Sequence, residues 1–247
     1  MPRQLRVYAA MPALSLSGGT NDRVVVPNPL TFGAGTAFTY CQWVRQRSAP
    51  TNGWGSSKGS GIDTLVYFAN WFTEVPRVGT TSNTTVTDAA LFPDTNWTCI
   101  ISTYDETNGI RIYRGTQTKP LVDLFPYASQ TVGSGSTTTD SSSLNIGNRP
   151  SASQAPSHDI AWAALFPVVL SLQDMRSWQD TPRSAVGKIT GKCWQLGVDG
   201  TAVVRESGGQ AAFNGAVIGT TILRATGPVQ PTTAFHRLGR QPVRRVG

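Results

Sequence analysis

Three glutamates, Glu74, Glu106 and Glu206, raise the first chemical question in this chain of 247 residues. Hydrolysis of a glycosidic bond needs two carboxylates about 5 to 10 Å apart, one of them held protonated. None of the three glutamates has a second acid at strand spacing. Asp105 adjoins Glu106, but neighbours in an extended segment point to opposite faces, and this pair falls at an expected hairpin tip. Gly55-Ser56-Ser57-Lys58-Gly59 matches the G-x-S-x-G pattern of a strained serine nucleophile. That strain requires a strand, a sharp turn and a helix, whereas the match lies inside a Gly/Ser-rich segment. His158 precedes Asp159 at the start of an expected strand and reads as a surface turn residue. His236 lies near the C-terminus. No His/Cys pair has zinc-ligand spacing. These spacings point to no catalytic residue, no metal ligand and no cofactor.

Binding chemistry has two candidate locations. Trp54 lies in "RQRSAPTNGWGSSKGSG" (45–61), which reads as a long polar loop, and is the aromatic placed like a sugar platform. The CH face of a sugar packs well on an indole ring. The second location is the C-terminal segment 226–247. It carries Arg237, Arg240, Arg244 and Arg245 with no acid, beside sparse apolar residues that include Phe235 and Leu238. Pro228, Pro231 and Pro242 block regular helix there and exclude a central strand. An extended arm is expected, anchored on a partner by its apolar residues, with arginines forking onto carboxylates. Of the net charge of +7, these four arginines carry more than half. The remaining excess is too mild to indicate a specific nucleic-acid surface. No apolar run is long enough to span a membrane, and "MPRQLRVYAAMPALSLSGG" contains no secretory core. Cys41, Cys99 and Cys193 have no CxxC spacing and read as buried thiols.

The elements that must position these residues are mostly strands. Hydrophobic residues make up 39% and charged ones 14%, the mixture of many short strands joined by turns. "FTYCQWV" (38–44) alternates, with Phe38, Tyr40, Gln42 and Val44 on one face and Thr39, Cys41 and Trp43 on the other. "NWTCIISTYDETNGIRIYRG" (96–115) is a hairpin whose turn is marked by Asn108-Gly109. "SQTVGSGSTTTDSSS" (129–143) is low-complexity and reads as a loop. "HDIAWAALF" (158–166) is apolar on both faces, as in a strand covered on both sides. "SLQDMRSW" (171–178) begins one short helix, with Ser171 as cap. The turn Gly18-Gly19-Thr20-Asn21-Asp22 lacks G-x-G-x-x-G and no helix follows it. It is therefore not a phosphate loop, which leaves a strand corner, with Asp22 bonding to its backbone, or a calcium site.

Five of these segments occur in a recognisable order: "LSLSGGTNDRVVVPNP", "FTYCQWV", "NWTCIISTYDETNGIRIYRG", "SLNIGN" and "HDIAWAALFPVVLSLQDM". Over residues 12–178 the chain resembles the laminin-G-like, concanavalin-A-like jelly rolls. The resemblance implies an all-β, antiparallel jelly-roll β-sandwich, here with one short helix and an extended C-terminal arm. It sets a domain at 1–225 and the arm at 226–247. Glycoside hydrolases of that superfamily place acids as Glu-x-Asp-x-x-Glu on one strand, a pattern missing here. Members often carry a D-x-S-G-N-G-N-x-G calcium segment. "RESGGQAAFNG" (205–215) has Glu206 for the Asp, and Gly209 and Gln210 for the Asn-Gly pair, too few oxygens for calcium.

The expected function is therefore non-enzymatic. Similar jelly rolls occur in phage virion proteins. The resemblance implies a structural protein of the virion, such as a capsid decoration, head fibre or tail part, assembled in the host cytoplasm. It would be a homo-oligomer contacting other viral structural proteins. The alternative is a carbohydrate-binding lectin or adhesin that recognises a host-surface glycan.

Overall fold

The computed structural model describes residues 7–19, 21–27, 31, 37–47, 53–58, 62–68, 71–75, 85–87, 95–105, 107–126, 129–131, 142–148, 157–182, 191–197, 203–204, 207, 214–218 and 222–232. The first strands are β1 (Val7–Leu16), β2 (Arg23–Val26), β3 (Phe38–Gln46), β4 (Gly53–Lys58), β5 (Ile62–Phe68), β6 (Trp71–Val75) and β7 (Thr85–Thr87). Next come β8 (Thr98–Asp105), β9 (Gly109–Thr116), β10 (Val122–Asp123), β11 (Ser129–Thr131), β12 (Leu144–Ile146) and β13 (His158–Phe166). Helix α1 (Leu172–Asp180) follows, then β14 (Lys192–Gln195), β15 (Val203–Val204), β16 (Gly215–Ile218) and β17 (Ile222–Thr232).

Two antiparallel sheets face one another. The larger has eight strands in the order β10-β9-β8-β3-β13-β1-β17, with β14 also on β13. One edge of β13 is shared, since β1 pairs with its first residues and β14 with its later ones. The smaller sheet has seven strands in the order β15-β16-β2-β12-β4-β5-β6. The short strands β7 and β11 pair separately. This is the expected antiparallel sandwich with one short helix.

Alternation divides the larger sheet into two buried faces. Tyr40 and Val44 of β3 point inward with Leu14, Leu16, Val24, Val26, Leu144 and Ile146, and this cluster joins the sheets. Cys41 and Trp43 point outward, where Trp162, Phe166 and Cys193 meet Met175 and Trp178 of α1. All nine residues of β13 are buried, because the second sheet covers one face and the helix the other. Spacing of Met175, Trp178 and Gln179 puts the buried helix residues on one stripe. Ser171 caps α1: its hydroxyl accepts the Asp174 N–H at 3.1 Å and donates to the Asp174 carboxylate at 2.6 Å. The helix stops at Thr181, before Pro182, which would clash with a further turn.

Four sequence expectations change. The segment 45–61 is not one loop, because Gly53–Lys58 forms β4, paired with β12 and β5. Neighbouring strands supply its ladder, which outweighs the poor strand preference of Gly and Ser. Residues 129–131, expected in a loop, pair as β11. His158 is not a surface turn residue but buried in β13, opposite Gln46 and Leu16. The boundary at 225/226 falls inside β17, which pairs with β1 from Leu16↔Ile222 to Val7↔Thr232. Pro228 and Pro231 are tolerated because β17 ends its sheet. Any arm therefore begins beyond Thr232.

Candidate functional site

The β8–β9 hairpin organises one end of the outer, helix-covered face. Gly109 closes the turn with φ +66°, a conformation costly for other residues. Asp105 accepts the backbone N–H groups of Thr107 and Asn108, at 2.8 and 2.6 Å, and the Asn108 side chain at 2.9 Å. Burial pushes the Asp105 carboxyl up. The Asn108 and Thr107 bonds and the charge of Arg111 outweigh that and hold it below the ordinary carboxylate value. The register places Thr103 opposite Arg111 and Ile101 opposite Tyr113. One strand further, Asp123 lies opposite Tyr113. Alternation puts Thr103, Asp105, Arg111, Tyr113 and Asp123 on the outer face.

The chain then brings an aromatic ring back over this row. The Arg111 guanidinium carbon sits 4.1 Å from the centroid of the Phe125 ring, and half of Phe125 (51%) is exposed. Arg111 also approaches Asp123 at 3.9 Å, with side chains 30% and 39% exposed. This ion pair is loose and open to solvent. Burial and the Asp123 charge raise the Tyr113 phenol above its ordinary value, so it stays protonated as a hydrogen-bonding group. Arg111, Tyr113, Asp123 and Phe125 thus combine an aromatic surface with partly exposed polar groups, of which the Tyr113 phenol bonds to Thr103 and Asp123 accepts the Phe125 N–H. A sugar needs this combination, since its CH faces pack on rings and its hydroxyls bond to planar polar groups.

The opposite end of the same face repeats the parts in a closed form. Asp159 is fully buried, accepts from Ser15 Oγ at 2.6 Å, and takes two bonds from Arg45 at 2.6 and 2.9 Å. Arg47 approaches its other oxygen at 3.5 Å and donates to the Leu16 carbonyl at 2.6 Å. Arg45 lies 5.0 Å from the centroid of Trp97, which is itself buried. Nearby, Asp22 Oδ2 accepts from Ser17 N, Ser17 Oγ and Gly19 N. The Gly18–Asp22 turn is thus a capped corner, and a Cβ on Gly19 would come within 3.0 Å of the Asp22 carboxylate.

The residues singled out from sequence lie elsewhere. Trp54 is on β4 of the smaller sheet, opposite Val66; its backbone is described and its side chain is not. Phe235, Arg237, Leu238, Arg240, Arg244 and Arg245 lie outside the described residues, as do Glu106, Glu206 and His236. Glu74 is on β6 with only its backbone described. Ser56 is a buried mid-strand residue whose hydroxyl bonds the Tyr40 phenol at 2.6 Å, not a strained nucleophile. Among the described residues no group of three or more His, Cys, Asp and Glu could hold a metal. Cys41, Cys99 and Cys193 are buried free thiols, and burial pushes the first two well above the ordinary thiol value. Arg111 and Tyr113 were readable as face-mates once the hairpin register was fixed. No spacing signal would have joined Phe125 to them.

A two-sheet antiparallel sandwich with a helix on its outer face is a concanavalin A-like fold. Residues 18–175 match the Laminin_G_3 family of the concanavalin A-like lectin/glucanases superfamily, and the chain belongs to that family. No curated protein matches the sequence. Among solved structures, a candidate carbohydrate-binding protein from Bacteroides ovatus superimposes with a TM-score of 0.61 at 12% identity, covering 93% of this chain. This chain spans 63% of that protein's length. The native heptameric SAP-like pentraxin of Limulus polyphemus gives 0.51 at 9% identity, covering 88% of this chain and 95% of that one. At these identities the likeness is one of fold.

Proposed function

We propose that this protein is a non-catalytic carbohydrate-binding module whose sugar rests at the Arg111–Tyr113–Asp123–Phe125 end of the larger sheet. The observation that carries the reading is Phe125, half exposed to solvent and stacked against Arg111 at 4.1 Å. An exposed ring beside partly solvated polar groups offers a sugar both an apolar surface and hydrogen-bond partners. The family and the Bacteroides ovatus fold neighbour support the ligand class. The reading is non-catalytic because the sequence has no acid pair at strand spacing, the arrangement a glycosidase needs.

The test is calorimetric titration with an oligosaccharide panel, comparing the wild type with Phe125→Ala. The substitution should weaken binding by about tenfold or more, as for an interface anchor, with melting unchanged. Equal affinity in the variant would refute this site. A second reading is a virion structural component, a homo-oligomer using its C-terminal arginines against neighbouring viral proteins. It draws support only from the acid-free, arginine-rich sequence of 226–247. The two readings separate in one comparison, since removing residues 233–247 leaves sugar binding intact under the first and abolishes assembly under the second.

A further inference from the structure

β10 is too short to hold its own place. Among the described residues it ends the larger sheet, so its ladder runs on one side alone. That ladder comprises Val122↔Arg114 and Asp123↔Tyr113, with one further bond from the Leu124 N–H to the Ile112 carbonyl at 3.0 Å. A pairing this short at an edge belongs to the low-stability end of a fold. Yet Asp123 lies on β10, and Phe125 follows two residues later, its N–H bonded to the Asp123 carboxylate at 2.9 Å.

Helix α1 supplies what the ladder lacks. The buried Gln179 side chain accepts the Leu121 N–H on Oε1 at 2.9 Å, and its Nε2 donates to the Thr116 and Lys119 carbonyls, both at 2.8 Å. All three bonds need this one orientation of the amide, with its oxygen facing a donor and its nitrogen two acceptors. Arg176, three residues earlier, donates to the Leu121 carbonyl at 3.2 Å. Both backbone groups of Leu121, the residue before β10, are thus held by the helix, and the Leu121 side chain is buried in the outer cluster. The turn from Thr116 is closed on itself, because the Thr116 N–H bonds the Lys119 carbonyl at 3.0 Å. Trp43 Nε1 donates to the Gln179 carbonyl at 3.3 Å and ties this end of the helix to β3. Gly115 makes room for the clasp, since a Cβ there would overlap the Gln179 amide nitrogen.

We infer that Gln179, assisted by Arg176, is the positioning residue of the platform. The helix holds Leu121, Leu121 sets where β10 begins, and β10 carries Asp123 and Phe125 to Arg111. Neither helix residue has to touch the sugar. The effect on affinity rests on the carbohydrate reading above, whereas the placement of Phe125 does not. With the clasp loosened, the segment from Leu121 to Phe125 leaves the sheet part of the time. Apparent affinity then falls in proportion to the population that keeps the ring in place.

The experiment uses two variants of the full chain. Gly115→Ala expels the flexible end of Gln179 without cutting the core, and Arg176→Ala removes the second bond at an exposed position. Without ligand, amide hydrogen exchange at Leu121 and Phe125 should be about tenfold faster in Gly115→Ala. Exchange at Cys41 and Ile101, paired in the central strands, should stay unchanged. Calorimetry with the best oligosaccharide of the panel should show affinity lowered about tenfold in Gly115→Ala and about threefold in Arg176→Ala. In a Phe125→Ala background most of each loss should disappear, because the clasp acts through that ring. Exchange at Phe125 unchanged in both variants would overturn the inference. So would wild-type affinity in a variant whose Phe125 exchanges faster, or losses that add in full to that of Phe125→Ala. Those outcomes leave the carbohydrate reading standing. Failure of every saccharide to bind the wild type would sink that reading instead, and the exchange rates would then decide the clasp alone.

Discussion

The two ends of one sheet face carry the same three chemical parts and use them in opposite ways. At one end Arg45, Asp159 and Trp97 form a group in which the acid is fully buried and the arginine contact is 2.6 Å. At the other, Arg111, Asp123 and Phe125 form a group in which the contact is 3.9 Å and the acid is 39% exposed, while the two arginines, Arg45 and Arg111, reach solvent to the same extent. The difference lies in desolvation and saturation. Asp159 receives Ser15, Arg45 and Arg47 and has nothing left to offer a ligand. Asp123 spends one oxygen on the Phe125 N–H at 2.9 Å and keeps a loose arginine. An arginine, an acid and an aromatic side chain are therefore not a site by composition. They become one where the fold leaves them hydrated and only partly paired.

The largest break in this comparison should come from Asp159→Ala. Removing the acid leaves Arg45 over Trp97 and Arg47 without a counter-charge, both about a third exposed, and it also strips the buried Ser15 hydroxyl of its partner. Because both guanidinium groups reach water, the loss is that of charged hydrogen bonds and of the Ser15 partner, about 1 to 3 kcal/mol. For a chain of this size that lowers Tm by roughly 2 to 12 °C. Sugar binding in the protein that remains folded should be unaffected. A Tm within 2 °C of wild type, on the order of 1 kcal/mol or less, would show that the closed end is not a lock.

The closed end also shows how far the sequence could be read. The alternation in "FTYCQWV" assigns Tyr40 and Val44 to one cluster and Cys41 and Trp43 to the other, as found. The doubly apolar "HDIAWAALF" is the strand buried on both faces. The Asn108-Gly109 turn fixes the hairpin register, and Ser171 caps the helix. These signals are local, and each has a period or a turn chemistry behind it. β4 had no such signal, because Gly53–Lys58 becomes a strand only through β12 and β5. His158 was misread for the same reason, since its burial comes from β1 and β3. The open end was the least legible part. Arg111 and Tyr113 share a face by alternation, but Phe125 reaches Arg111 through a loop whose path no periodicity encodes. Trp54 attracted attention as an aromatic in an expected loop, and it lies in a strand of the other sheet.

A double-mutant cycle should sharpen the contrast. The Arg45/Asp159 cycle should return a coupling of about 1 to 3 kcal/mol, dominated by the buried acid. The Arg111/Asp123 cycle should return about 0 to 1 kcal/mol, as for exposed pairs, and less in high salt. A coupling at the open end that matched the closed end would mean that Arg111 is committed to Asp123. It would then be unavailable to a ligand, and the binding proposal would lose its cation.

The smallest expected effect concerns Asp105 and lies below pH 4. The hairpin-tip bonds from Asn108 and Thr107, together with Arg111, hold its folded-state pKa under the ordinary carboxylate value despite the opposing push of burial. A depressed folded pKa means that the carboxylate form contributes stability. That contribution is fully present above the unfolded value of about 3.9 and is lost as pH falls through the folded one. Near neutral pH the site therefore presents an ionised Asp105 beside Arg111. Carboxyl-detected NMR titration should place the Asp105 midpoint below that of an ordinary aspartate. Asn108→Ala should move it upward, because it removes the side-chain bond at 2.9 Å. The direction matters more than the size. An Asp105 titrating well above the ordinary value would be a carboxyl held protonated at the open end, with a second acid, Asp123, on the same face. That is the arrangement a glycosidase uses, and the open end would then have to be tested as a catalytic centre and not a passive platform.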